Sequence, residues 1–236
     1  MGMRLLFINP NTTTSMTKTI EAQARSVAAP GTEVVAVNPR RGPAAIETRR
    51  DEETAIKEML SSLPTWRPDS FDGVAIACFG DPGLDRVRAL VRAPVVGIAQ
   101  AAMLSACALG TKFGVVAALD SAIPIMTDLA ARYGLGERLT GVRPVGLGVL
   151  EMAKDIDRSR GAIEAAVHRS FADGAQSVCL GCAGMGLLAP ELTAELGRPV
   201  IDGVQSATKL LEATNAGVAP QGADDCGDLA DGRDIP

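Results

Sequence analysis

"PVVGIAQAA" (residues 94–102) returns in altered form as "PVIDGVQSA" (residues 199–207), and the two segments align without a gap. Four positions are identical and a fifth pairs Val with Ile. The two segments start 105 residues apart, and Cys78 and Cys182, which each end an apolar segment, stand 104 residues apart. Two separate features with nearly the same offset predict a chain built from two similar halves of about 100 residues each.

Short apolar segments alternate with helix-like segments along most of the chain. Continuous apolar strands that alternate with helices are typical of parallel sheets covered on both faces. The sequence therefore predicts two similar α/β halves. The predicted strands cover residues 4–8, 32–38, 73–78, 94–98, 113–119, 142–147, 177–182 and 199–203, and the predicted helices cover 15–27, 51–63, 85–91, 123–133, 159–173 and 190–196.

Cys78 and Cys182 end corresponding strands of the two halves. Ligands of open α/β sheets bind beyond the carboxyl ends of the strands, so both thiols enter one cleft if the halves face each other. Asp81 and Pro82 suit the start of a helix, and a helix N-terminus aimed at Cys78 would lower the pKa of its thiol. An Asp81 carboxylate pointing at the sulfur would raise that pKa. A buried, inert thiol stays open as an alternative for each cysteine.

Paired thiols on opposite sides of a cleft suit one kind of chemistry. Racemisation of a carbon acid without a cofactor needs one base on each face of the stereocentre. A cysteine thiol has an unperturbed pKa of about 8.5, so a modest lowering of the pKa supplies thiolate at neutral pH. Cys179 and Cys182 form one C-x-x-C, but the chain lacks a second such pair and has a single histidine, which argues against a zinc site.

Composition excludes several other classes of function. The formal net charge of −5 and an aromatic content of 3% disfavour nucleic-acid and anionic-membrane surfaces. We find neither an apolar run of the roughly 20 residues that a membrane span needs nor a signal-peptide pattern. Five cysteines without a signal predict reduced thiols in the cytoplasm. Residues 219–236, rich in Gly and Asp, are expected to form a disordered tail.

An ordered set of short motifs resembles the aspartate/glutamate racemase superfamily, in particular its hydantoin and allantoin racemase branch. The resemblance spans about residues 3–215. The motifs are "FINPNTT" (7–13), "GPAAIET" (42–48), "CFGDPGL" (78–84), "GIAQAA" (97–102), "KFGVVA" (112–117) and "LGCAGM" (181–186). The resemblance implies an α/β fold of two pseudo-symmetric lobes, each a mostly parallel sheet flanked by helices, with the active site in the cleft between them.

The resemblance also implies roles for individual residues. It implies cofactor-independent racemisation with Cys78 and Cys182 as the catalytic bases, and no metal. The substrate-binding residues that it implies are Asn11, Ile46, Phe79, Gly80, Gln100, Ala183 and Gly184. The cysteines are followed by Phe-Gly and Ala-Gly, where amino-acid racemases of the superfamily tend to have Asn-Thr, and this difference favours a neutral ring over a free amino acid. Gln100 stands where many relatives have Glu, which leaves its role open.

Three hypotheses follow for the function. The first is a racemase of 5-substituted hydantoins or allantoin, acting on a small cyclic substrate and assembled as a homo-oligomer. The second keeps the fold with another reaction, the decarboxylation of an arylmalonate or the isomerisation of a diacid. The third is a two-lobed binding protein without chemistry. The expected lobes comprise residues 1–97 with about 204–218, and residues 98–203.

Overall fold

The computed structural model describes residues 2–217, so the expected tail, Cys226 included, lies outside the described residues. These residues form two sheets of four parallel strands, flanked by helices. No helix among them is long and apolar enough to cross a membrane. The strands are β1 Arg4–Ile8, β2 Glu33–Val37, β3 Gly73–Ile76, β4 Val95–Gly97, β5 Phe113–Ala117, β6 Leu139–Pro144, β7 Ser177–Leu180 and β8 Val200–Asp202.

The helices lie between and after these strands. They are α1 Thr14–Val27, α2 Arg49–Trp66, α3 Leu84–Arg88, α4 Ile98–Leu109, α5 Ala122–Arg132, α6 Val149–Lys154, α7 Ile156–Ala172, α8 Ala189–Leu196 and α9 Gly203–Gly217. Short 3-10 segments occupy Pro68–Ser70, Gly136–Arg138 and Ala183–Leu188.

The two sheets have the same topology, which confirms the predicted pair of similar α/β halves. Their strand orders are β2-β1-β3-β4 and β6-β5-β7-β8. The repeated segments of the sequence make the same contact in each: the Val74 N–H donates to the Pro94 carbonyl over 2.9 Å, and the Val178 N–H donates to the Pro199 carbonyl over 3.0 Å. The lobe boundaries at 97 and 203 stay a prediction.

The boundaries of some elements differ from those predicted. Helix α2 begins two residues before its predicted start because Thr48 and Asp51 form a reciprocal capping box. Strand β6 begins at Leu139 rather than 142, since it pairs with β5 from Phe113 onwards. The six-residue helix α6 is too short to show a helical period in the sequence, and it was missed.

A shared hydrophobic core joins the two sheets, beside a separate cluster in each lobe. Its main cluster joins Leu5 and Phe7 of the first sheet to Phe113 and Val115 of the second. Helices α4 and α9, which follow the last strand of each sheet, pack against each other inside it. Their first turns approach so closely that a Cβ on Gly203 would lie 2.7 Å from the Ile98 carbonyl oxygen. The two lobes are therefore joined through buried apolar surface.

A buried carboxylate caps each of these two helices. The carboxylate comes from the thiol-bearing turn in the first lobe and from the end of the last strand in the second. Asp81, in the turn after β3, fills the space beside Gly97, where a Cβ would lie 2.1 Å from its Cγ. Asp202, at the end of β8, fills the space beside Gly186, where a Cβ would lie 2.5 Å from its Cγ. Aspartate and glycine thus exchange places between the lobes. Each lobe has room for only one side chain at this point.

Asp202 predicts a pH-dependent contribution to stability. Burial raises its pKa to about 6, although N–H donors of α9 oppose the shift, and one of its oxygens has no partner among the described residues. A carboxyl whose pKa is raised on folding stabilises the protein at low pH, and that contribution is lost as pH rises from about 4 through about 6. In Asp202→Asn, we expect the free energy of unfolding relative to wild type to increase by about 2 kcal/mol between pH 4 and 7.5. Urea unfolding across this range measures it, and a flat difference contradicts it.

Candidate active site

Cys78 and Cys182 occupy equivalent positions beyond the ends of β3 and β7. Each follows its strand by two residues and opens a tight turn. The Asp81 N–H donates to the Cys78 carbonyl over 2.9 Å, and the Met185 N–H donates to the Cys182 carbonyl over 3.0 Å. Both cysteines line a single cleft between the two sheets. The structure therefore brings together the two thiols that the sequence singled out.

The cleft encloses about 780 Å³, including space open to solvent. Its walls are largely apolar, and its charged side chains are two glutamates, Glu47 and Glu52. None of the described residues that line it is Lys, Arg or His. Among the described residues, no group of three or more His, Cys, Asp or Glu side chains could hold a metal ion. The wall residues also include Met16, Leu119, Ser121, Ile125, Met126 and Val149.

Five of the seven predicted substrate-binding residues line this cleft: Asn11, Ile46, Phe79, Gly80 and Ala183. Gly184 lies beside the sulfur of Cys182, since a Cβ on it would be 3.7 Å from Sγ. It lines an adjacent, smaller cavity that shares Met16 and Ala183 with the cleft. The side chain of Phe79 is buried in the core.

Gln100 lies outside the cleft. Its amide oxygen accepts a hydrogen bond of 2.6 Å from Arg88 Nη2, and it lines a polar groove with Tyr133 and Arg132. The structure thus places this predicted contact away from the two thiols. The side chain of Asn11, by contrast, both closes the turn after β1 and faces the cleft: its Oδ1 accepts from the Thr13 N–H over 2.9 Å.

The expectation that a helix N-terminus lowers the pKa of Cys78 is wrong. Helix α3 begins only at Leu84, and Asp81 caps the first turn of α4 instead. Burial raises the pKa of the Cys78 thiol to about 12, with added contributions from the charges of Cys182, Asp81 and Glu52. The Gly80 N–H donates to the sulfur and opposes this shift. Desolvation outweighs the single donor because it acts on the whole thiolate charge.

Cys182 has a similar environment with more donors. Burial raises the pKa of its thiol, and the N–H groups of Gly184 and Met185 oppose that shift. The charge of Glu47 raises it further. Each sulfur thus has a glutamate nearby and backbone N–H groups directed at it. At neutral pH both cysteines are protonated in the open cleft.

Sequence reasoning missed Glu47 and Glu52. Glu47 accepts a hydrogen bond of 2.8 Å from the Val149 N–H, which joins the first lobe to α6 in the second. Burial raises the pKa of Glu52, and the charges of Arg49 and Arg132 oppose that shift. A signal was present, because Glu47 lies within "GPAAIET" and the Thr48–Asp51 capping box places Glu52 in the first turn of α2.

Comparison with known proteins identifies the family of the chain. The family model described as Asp/Glu/Hydantoin racemase matches residues 5–211. The chain belongs to this family. It is 40% identical over 214 residues to a hydantoin racemase of Pseudomonas sp. (strain NS671), a match that covers 89% of this chain and 85% of that one.

Solved structures extend the comparison. The chain matches the allantoin racemase from Klebsiella pneumoniae with a TM-score of 0.88 and 41% identity, covering 91% of this chain and 88% of that one. It matches arylmalonate decarboxylase with a TM-score of 0.63 and 17% identity, covering 92% and 94%. The second match shows the fold alone. The predicted family and fold class are both confirmed.

Proposed function

We propose that this protein is a cofactor-independent racemase of 5-substituted hydantoins or of allantoin, which is itself a 5-substituted hydantoin. The observation that carries the proposal is the placement of Cys78 and Cys182 at equivalent strand ends in one cleft. The relatives named hydantoin racemase and allantoin racemase, which cover most of the chain, support the same reaction class. Assembly as a homo-oligomer and a cytoplasmic location stay predictions.

In the proposed mechanism, the two cysteines work on opposite faces of C5. One cysteine, as thiolate, takes the C5 proton; the C–H electron pair moves into the ring as an enolate on the neighbouring carbonyl. The other cysteine, as thiol, donates its proton to the opposite face of C5 and becomes the thiolate. The product is the mirror-image ring, and the enzyme is left with its protonation pattern reversed. Exchange of protons with solvent, or turnover of the other enantiomer, restores it.

The raised thiol pKa values have a consequence for this mechanism. Because both cysteines are protonated at neutral pH, the active form with one thiolate is a minor species that grows as pH rises. The N–H groups of Gly80, Gly184 and Met185 favour the thiolate at each position. A substrate that displaces water from the cleft strengthens those hydrogen bonds. We propose that they stabilise whichever sulfur carries the charge.

The lining of the cleft supports a neutral ring over a free amino acid or a diacid. A carboxylate substrate makes its strongest hydrogen bonds to cationic side chains, and no Lys, Arg or His is among the described residues that line the cleft. A cyclic ureide instead presents N–H donors, for which Glu47 and Glu52 supply acceptors. This favours the racemase over a decarboxylase of malonates or an isomerase of diacids.

A polarimetric assay in D₂O without added metal or cofactor tests the proposed function. Each enantiomer of 5-benzylhydantoin and of allantoin is offered separately at pH 8 to 9, where the thiolate form is more populated. We expect the rotation to decay to zero and deuterium to enter at C5, with the faster compound defining the substrate class. If the optical rotation of both compounds decays no faster than in the enzyme-free control, the proposal is contradicted. Binding without turnover would favour the two-lobed binding protein.

A further inference from the structure

The turn that carries Cys78 is tied to the opposite lobe through Asp81. Asp81 is 3% exposed and adopts φ +46°, a left-handed conformation that costs energy in a residue other than glycine. Its carboxylate accepts hydrogen bonds from the N–H groups of Ala99 (3.0 Å) and Gln100 (2.9 Å). The same carboxylate accepts a 2.6 Å hydrogen bond from the hydroxyl of Tyr133, which directly follows α5 in the second lobe.

The turn that carries Cys182 is likewise hydrogen-bonded to the other lobe, here by a side chain of the first lobe. Gln23, on α1 of the first lobe, is 2% exposed and donates from Nε2 to the Ala183 carbonyl over 2.9 Å. Its Oε1 is buried and has no partner among the described residues, where this hydrogen bond is the one that its side chain makes. Each thiol turn is therefore held by a side chain of the opposite lobe, half-buried in the case of Tyr133 and buried in the case of Gln23.

We propose that Tyr133 and Gln23 are positioning residues, Tyr133 for Cys78 through Asp81 and Gln23 for Cys182 through Ala183. The inference rests on the proposed function. Two bases that share one carbon must each keep their distance to it, although they belong to different lobes. A hydrogen bond from the far lobe to each turn fixes that distance directly, and a small misplacement of a reacting group costs up to about a hundredfold in rate.

Loss of one of these two hydrogen bonds between the lobes should slow proton transfer at one sulfur only. Kinetic isotope effects then report which sulfur is affected. The equilibrium constant between two enantiomers is one, so kcat/KM must be equal for both directions of racemisation in every variant. The rates alone therefore cannot show which sulfur is affected. With substrate deuterated at C5, slow transfer at Cys78 makes deprotonation of its own enantiomer more rate-limiting, and the isotope effect on kcat/KM rises. For the other enantiomer, Cys182 deprotonates before the slow step, and the isotope effect falls.

Tyr133→Phe and Gln23→Met test the proposal as a mirrored pair. Both remove a single hydrogen bond and keep the bulk of the side chain. We expect each to lower kcat/KM about tenfold, with KM changed far less than kcat. The isotope effects of the two enantiomers should move apart in opposite senses in the two variants. Asp81→Asn, which disturbs the acceptor rather than the donor, should move them as Tyr133→Phe does.

The control separates positioning from stability. Ile163→Val removes one methylene from the core beneath the second sheet, so it should lower Tm while both isotope effects keep their wild-type values. The enantiomer assigned to each sulfur comes from exchange in Cys78→Ser and Cys182→Ser. If wild type racemises but the isotope effects of the two enantiomers do not move apart in either variant, the positioning role is overturned and the proposed function stands. If wild type racemises neither compound, both fall.

Discussion

In Cys78→Ser and in Cys182→Ser, we expect racemisation to fall by about a thousandfold or more, while exchange of the C5 proton with D₂O survives for one enantiomer only. The surviving enantiomer should differ between the two variants. Each variant keeps one thiol, which still removes the proton on its own face and returns deuterium to that face. A serine hydroxyl cannot replace the missing thiol, because it is far less acidic.

Proton NMR of each enantiomer in D₂O, beside polarimetry, measures this result. Cys107→Ser is the matched control: Cys107 lies on α4, partly buried against the shared core, and does not line the cleft. It should racemise at the wild-type rate. Undiminished racemisation in either cleft variant contradicts the two-base mechanism. Exchange of both enantiomers by a single-cysteine variant would contradict the assignment of one thiol to each face.

The exchange of aspartate and glycine between the lobes makes a second large effect predictable. We expect Gly97→Asp to destabilise the protein by about 4 kcal/mol or more. A Cβ at this position would lie 2.1 Å from Cγ of Asp81, and a second carboxylate would be buried beside the first. The loss should be visible as a fall in the urea midpoint at unchanged slope.

The double variant Asp81→Gly/Gly97→Asp should recover a substantial part of that loss. It copies the arrangement of the second lobe, where Asp202 is the last residue of β8 and Gly186 lies in the turn after Cys182. Glycine suits the φ of +46° at position 81, and the new carboxylate occupies the N-cap of α4. The single variant Asp81→Gly completes the double-mutant cycle, in which the loss in the double variant is compared with the sum of the two single losses. Additive losses in the double variant would show that the two lobes are not interchangeable at this point.

The fold was predictable from sequence because the signals were repeated. Buried parallel strands leave continuous apolar segments, and the Pro-Val motifs at 94 and 199 place the same strand in both sheets. The two catalytic candidates followed from the same repeat, since Cys78 and Cys182 end equivalent strands. The resemblance to the racemase family added Asn11, Ile46, Phe79, Gly80 and Ala183, which also line the cleft.

Three of the missed features depend on contacts between distant parts of the chain. The role of Asp81 was assigned to α3, the next helix in sequence, whereas its carboxylate reaches α4 and Tyr133. The direction of the Cys78 pKa shift was missed because burial depends on the second lobe. Gln23, in the middle of α1, gave no local signal at all. Local patterns do not contain this information.

The core shared by the two lobes also limits how a ring can enter the cleft. A hinge that parted the lobes would expose the packed faces of α4 and α9, at about 25 cal/mol for each Å² of apolar surface. The bond between Glu47 and Val149 joins two half-buried groups and can break without uncovering the core. We therefore expect a ring to enter and leave past the segment around Glu47 and the six-residue helix α6, without a hinge motion between the lobes.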